Sequence, residues 1–152
     1  GIFIGTVDLS DYDYIKLPQK DIWGLLTPIN GPLAEKEFIT VKDIVKVPLL
    51  CSRQALNNNE FNGWLGQAAG ELNIVGTFNL IYNAALLAEE GFGHVLALKD
   101  IYTPPADSNL HHIPLSPKLE ADVIVAWPKN RRISKATEMR LDMLREDMKQ
   151  KR

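Results

Sequence analysis

Cysteine is nearly missing from this chain. Cys51 is the one thiol in 152 residues, so no disulfide can form within the molecule, and a reducing compartment suits it. Long apolar runs are missing too. No stretch reaches the roughly 18 residues that a membrane-spanning helix needs, and no secretory leader pattern is visible. A cytoplasmic protein without membrane contact is the expectation. Charge of one sign is equally scarce: Lys and Arg total 17 against 19 Asp and Glu, a net charge of −2 with a pI of about 5.9. A nucleic-acid-binding face requires a basic surplus to neutralise phosphates. Only the stretch from Lys129 to Arg152 is locally basic, and there Glu138, Asp142, Glu146 and Asp147 interrupt the cations, as on a solvated helix face. Direct contact with DNA is not expected of these residues.

Catalytic and metal signatures are lacking as well. Ser52-Arg53-Gln54 has no Gly-x-Ser-x-Gly elbow around it. Cys51 ends an apolar strand, where a small core residue is the commoner role, and its candidate histidine bases are His94, His111 and His112. Adjacent side chains of an extended segment point to opposite faces, so His111 and His112 are poorly placed to share one metal ion. Gly91-Phe92-Gly93 follows a helix instead of opening one, which excludes a dinucleotide fingerprint. No catalytic residue, metal or cofactor is assigned, and an enzyme is not expected.

With 45% hydrophobic and 24% charged residues, the chain has the profile of a soluble globular domain. Gly1-Ile2-Phe3-Ile4-Gly5 reads as a strand already under way, which points to a fragment. Tyr14 to Thr27 predicts one or two strands ending at Pro28, and Asn30-Gly31-Pro32 predicts a turn. Thr40 can cap a short helix, with Asp43 completing a capping box. Val47 to Cys51, Asn73 to Thr77 and His94 to Leu98 read as three buried strands. Between them, 59–72 carries Phe61, Trp64, Leu65, Ala68 and Leu72 on one helical stripe. A second helix is predicted from an Asn79 N-cap through Glu90, stopped by Gly91. That alternation implies crossovers and a mainly parallel sheet. Ile113 to Leu115 reads as a short edge strand, Ala121 to Trp127 as a further strand, and Ser134 as the cap of a last helix with Ala136, Met139, Met143, Leu144 and Met148 turned mostly inward.

In open parallel sheets, ligands bind beyond the carboxyl ends of the strands. Two clusters fall there. The first strand of the alternation ends in Ser52-Arg53-Gln54, and the second ends in Thr77-Phe78-Asn79. Arg53 offers a fork of donors suited to a carboxylate, hence to an anionic ligand. Ser52 adds a hydroxyl and Phe78 an apolar wall. The alternative reading leaves Arg53 solvated and Asn79 as a helix cap only.

The order of these segments resembles the effector-binding domain of LysR-type transcriptional regulators. Gly24 to Ala34, containing Pro32-Leu33-Ala34, resembles the family's strand and turn with "xPLA". Asn79 to Leu98, with Gly91-Phe92-Gly93-His94-Val95-Leu96-Ala97-Leu98, resembles its helix followed by a "GxGxxxLP" strand, with Lys99 in place of the proline. Val123 to Lys129 and the segment after Ser134 resemble its closing strand and C-terminal helix.

The resemblance covers nearly the whole chain. It implies an α/β, type 2 periplasmic-binding-protein-like fold of two lobes with an effector between them. Residues 1–45 and 123–152 would then belong to a partial first lobe and residues 46–122 to a complete second lobe. It further implies a non-enzymatic small-molecule sensor that forms a dimer or tetramer in the intact protein. DNA would be reached only through a winged helix-turn-helix for which this chain has no counterpart. Ser52 to Gln54 and Thr77 to Asn79 form the second-lobe wall of the site in that reading. A solute-binding protein of the same fold is the alternative. A shortened first lobe would leave strand edges and apolar surface in need of cover, favouring pairing of copies.

Overall fold

The structure is a computed structural model that describes residues 2–4, 10–129 and positions 139, 142, 143 and 146. The chain divides into two compact units, one made of Gly1–Lys20 and Ala121–Arg152, the other of Asp21–Glu120. In the first unit, β1 (Ile2–Ile4) pairs antiparallel with β7 (Glu120–Pro128), Phe3 lying opposite Ile124. Lys16 and Lys20 share the carboxylate of Asp122 at 3.2 and 4.0 Å. Such exposed pairs contribute little to stability.

The second unit begins inside a continuous strand. β2 spans Tyr12–Pro28 in one run of 17 residues, and its part from Asp21 onward lies antiparallel to both β5 (His94–Leu98) and β6 (Leu110–Pro114). β3 (Pro48–Ser52) and β4 (Asn73–Phe78) continue the sheet, β3 running parallel to β4 on one side and to β5 on the other. The unit's order is therefore β6-β2-β5-β3-β4. The expected parallel arrangement is present in β5-β3-β4, but the sheet as a whole is mixed. β2 stands antiparallel between β5 and β6, a placement that no crossover helix announces in sequence.

Both faces of this sheet are covered. α4 (Ile81–Glu89) lays Ala84, Ala85 and Ala88 on Leu26, Leu50, Val95, Ala97 and Leu110. Three alanines on that face let the helix approach the strands closely. Residues of the opposite parity, Leu25, Leu49, Leu96 and Ile113, are buried too, so these strands read as nearly continuous apolar runs. Gly24 is required by a close approach. A Cβ there would overlap the His112 ring and the Ile113 carbonyl, while His112 Nε2 donates to Ala97 O at 3.0 Å.

Local signals account for several boundaries. α1 (Val41–Ile44) has the full capping box: Thr40 Oγ1 accepts from the Asp43 amide and Asp43 Oδ2 accepts from the Thr40 amide at 3.0 Å. α4 ends in a Schellman arrangement, with Gly91 at φ 84° and the Phe92 amide donating to Leu87 O at 3.0 Å.

Three expectations are corrected. The stripe from Asn59 does not form one helix to Leu72. α3 covers Asn59–Leu65 and gives way at Gly66, φ 60°, to a 3-10 turn over Gly66–Glu71. Asn79 is not the cap of α4. Leu80 holds that position in extended conformation without a side-chain cap bond, because β4 runs on to Phe78 and the helix starts later. Met139 and Met143 are each 67% exposed and not turned inward. Helical spacing aligns such residues on one side, but it does not supply anything to cover them. Ser134, Ala136, Leu144 and Met148, the rest of the expected last helix, lie outside the described residues.

Candidate functional site

The carboxyl ends of β3 and β4 are adjacent and level. Cys51 lies opposite Thr77 and Ser52 opposite Phe78, across the spacing of about 4.8 Å between paired strands. The two clusters read from sequence are thus brought to one edge of the sheet, 25 residues apart in the chain. Ser52 leaves β3 and caps the short helix α2 (Arg53–Leu56), its Oγ accepting from the Ala55 amide at 3.0 Å. Its hydroxyl is partly engaged by that bond. Arg53 and Gln54 follow with exposed side chains.

On the neighbouring strand, alternation sorts the three residues. Thr77 and Asn79 are exposed, whereas Phe78 is half-buried and packs against the core beneath α4. Phe78 thus serves as a floor, half-buried against that core cluster. The accessible groups at this edge are a guanidinium, two amides and a hydroxyl. Such a set recognises hydrogen-bonding ligands and has no nucleophile poised beside a base.

Cys51 is fully buried, and burial pushes its pKa up to about 12, so no thiolate forms near neutral pH. His94 is buried with Nδ1 2.8 Å from Thr27 Oγ1, and burial holds its pKa below the usual value. His111 and His112 alternate along β6 as expected: His112 bonds to Ala97 O, whereas His111 lies level with Thr27. Among the described residues no group of three His, Cys, Asp or Glu side chains could hold a metal. No helix among them is long and apolar enough to cross a membrane.

Sequence reasoning missed Asp21. This carboxylate is only 2% exposed, sits where β2 enters the second unit, and accepts from the amides of Ile22 at 2.8 Å and Asp100 at 3.0 Å. Lys99 N donates to Ile22 O at 2.9 Å beside it. Together these bonds tie the exit of β5 to that end of β2. The signal available was an acid immediately before the apolar run Ile22 to Thr27.

The described residues form an α/β domain whose parallel sheet edge presents polar side chains. Residues 1–149 match the LysR substrate binding domain, and the chain belongs to that family. Its α/β fold is of the type 2 periplasmic-binding-protein-like kind. The effector binding domain of QuiR in complex with shikimate is 20% identical, with a TM-score of 0.74, over 98% of this chain and 72% of that one. The regulatory domain of CcmR from Synechocystis PCC6803, solved with 2-PG, is 14% identical at a TM-score of 0.70, over 97% and 72%. HinK, a LysR family transcriptional regulator from Pseudomonas aeruginosa, is 17% identical at a TM-score of 0.70. This chain covers 52% of its length. At these identities the likeness establishes the fold. The search of curated proteins finds no match.

Proposed function

We propose that this chain is the effector-sensing part of a bacterial LysR-type transcriptional regulator and binds a small organic anion at the edge formed by β3 and β4. The observation that carries the reading is the parallel register that sets Ser52 opposite Phe78 and Cys51 opposite Thr77, with Arg53 and Gln54 following directly on one strand and Asn79 on the other. Arg53 supplies the charge, Gln54, Thr77 and Asn79 supply neutral donors and acceptors, and Ser52 and Phe78 hold the edge in shape. That one relative was solved with shikimate and another with 2-PG supports a small polar ligand.

In this reading the domain has no catalytic role and works in the cytoplasm as a homo-oligomer. DNA is contacted by a winged helix-turn-helix outside these residues. Residues 46–122 act as the second lobe, with residues 1–45 and 123–152 contributing to the first. Asp21 to Val45 belongs to the second compact unit, which favours a lobe boundary within β2 over one at Val45. Effector binding shifts the balance between two placements of the lobes, a coupling of about 1–3 kcal/mol in such systems.

Arg53→Ala tests the site. Removing a charge-assisted contact of about 1.5–3 kcal/mol weakens binding of an anionic effector roughly 10- to 150-fold, measured by calorimetry with shikimate and 2-PG as first probes. An affinity unchanged by the substitution, in a protein that binds either probe, removes Arg53 from the site.

A further inference from the structure

The carboxyl-terminal edge of the sheet continues beyond β3 and β4. β5 lies on the other side of β3 and runs parallel to it, with Leu49 opposite His94 and Leu50 opposite Val95. The same register carried forward sets Arg53 level with Leu98, one residue before Lys99. The backbone at Lys99 is held on both sides. Its amide donates to Ile22 O at 2.9 Å, and the next amide, that of Asp100, donates to the buried carboxylate of Asp21 at 3.0 Å. Its side chain is exposed, as is that of Arg53. Lys99 also stands where the resemblance to the LysR pattern would have proline, which carries no charge and has no amide hydrogen to donate. A cation at this place is a feature of this chain's own sequence.

Little around these two charges neutralises them. Within residues 47–59 Arg53 is the sole Asp, Glu, Lys, Arg or His, and residues 72–88, which hold all of β4 and most of α4, contain none. The ion pairs among the described residues join Lys16 and Lys20 to Asp122, Lys36 to Asp43, and Lys118 to Glu120. Neither Arg53 nor Lys99 takes part in one. Of the two acids beside Lys99, Asp21 is buried and occupied by amides, and Asp100 is exposed. The edge thus offers two exposed cations, at the ends of strands about 4.8 Å apart, against one exposed carboxylate.

We propose that Lys99 acts with Arg53 as a second anion-binding residue, and that the ligand of this edge is a small dianion. Its two acidic groups would be separated by a short carbon chain, one a carboxylate and the other a carboxylate or a phosphate-like group. The proposal rests on the reading of the β3 and β4 edge as the effector site, and adds to it a residue and a ligand class. The two cations divide the work by their chemistry. The guanidinium of Arg53 presents paired donors in one plane, which match a carboxylate. The Lys99 ammonium is a compact point charge with three rotatable donors, and suits either kind of second group. A monoanion engages one cation and leaves the other in water, so the second charge sets the selectivity.

Calorimetric titration of the complete chain with succinate, 3-phosphonopropionate and succinamate tests this. The three share one carbon chain, and succinamate replaces one carboxylate of succinate by a neutral amide. The natural chain is expected to bind one or both dianions about 10-fold more tightly than succinamate, the gain of one charge-assisted contact. Lys99→Gln keeps the length and loses the charge. It is expected to erase that preference while leaving succinamate affinity and the melting temperature unchanged, and Lys99→Arg is expected to restore it. The dianion that shows the preference identifies the second group as carboxylate or phosphate-like.

A preference that survives Lys99→Gln, or dianions bound no better than succinamate, overturns the role of Lys99 and leaves the anion-site reading intact. A chain that binds none of the three yet binds shikimate or 2-PG overturns the dianion and leaves that reading intact as well. A chain that binds no anion at all overturns both.

Discussion

Asp21→Ala probes the contact that anchors the second unit at its entry. The carboxylate is 2% exposed and accepts from two backbone amides, Ile22 at 2.8 Å and Asp100 at 3.0 and 3.2 Å through its two oxygens. Alanine removes the acceptors and leaves both donors in place. An unpaired buried donor costs about 1–3 kcal/mol, and the removed carboxylate returns only its own desolvation cost, so a net loss of about 3 kcal/mol is expected. For a unit of this size that corresponds to a fall in melting temperature of roughly 15 °C.

Asp21→Asn separates acceptor loss from charge loss. Its amide oxygen, in the place of Oδ1, still accepts from both Ile22 and Asp100, so only the longer 3.2 Å bond to Oδ2 and the charge are lost, and a loss of about 1 kcal/mol follows. Thermal melting by circular dichroism gives the totals, and amide exchange at Ile22 and Asp100 gives the location. A melting temperature within about 3 °C of the parent for Asp21→Ala, with Asp100 still protected, would refute the role assigned to this carboxylate.

Two further substitutions and conditions test the packing around the sheet. Gly24→Ala places a methyl group on the His112 ring and the Ile113 carbonyl, and overpacking against backbone should cost about 3 kcal/mol in urea unfolding. Adding His112→Ala relieves only the ring, so full recovery in the double variant would show that the carbonyl contact is unimportant. His94 and His112 both have pKa values lowered by burial, partly offset at His112 by its bond to Ala97 O. The unfolded chain therefore binds protons more readily. Stability should be fully present above the unfolded value of about 6.5 and decline as pH falls through 6.5 toward the folded values, by at most about 1.4 kcal/mol per pH unit for each ring. Urea midpoints at pH 7.5 and 5.5 check the sign, and a midpoint that rises on acidification contradicts it.

The elements most legible in sequence are those whose local chemistry and tertiary role agree. Thr40 and Asp43 form the capping box that their spacing predicts, and Gly91 takes the positive φ expected after α4. Legibility fails where two local readings compete. Asn79 is a good N-cap residue, yet the strand before it continues to Phe78 and leaves Leu80 at the cap. Gly66 lies within an apolar stripe that favours helix, and the positive φ it adopts ends α3 there. The packing boundary between Lys20 and Asp21 leaves no turn or glycine to read, because β2 passes through it as one uninterrupted strand. Sequence marks the end of an element well where one local signal acts unopposed, and a change of neighbours along a single element poorly.

The candidate site illustrates the same limit on a smaller scale. Sequence alone places Ser52 to Gln54 and Thr77 to Asn79 at one edge, because crossover connections make β3 and β4 parallel and both clusters end their strands. Which of these residues are exposed follows from strand alternation, unbroken from Asn73 to Phe78, which turns Thr77 out and Phe78 onto the core. Which residues they stand opposite does not. The register shift between Leu49 and Leu50, where β4 carries an extra residue, sets Thr77 opposite Cys51 and Phe78 opposite Ser52. Without it, Gly76 would stand opposite Cys51 and Thr77 opposite Ser52. A bulge of one residue, invisible in the apolar pattern of Ile74 and Val75, thus decides which side chains of the two clusters are neighbours.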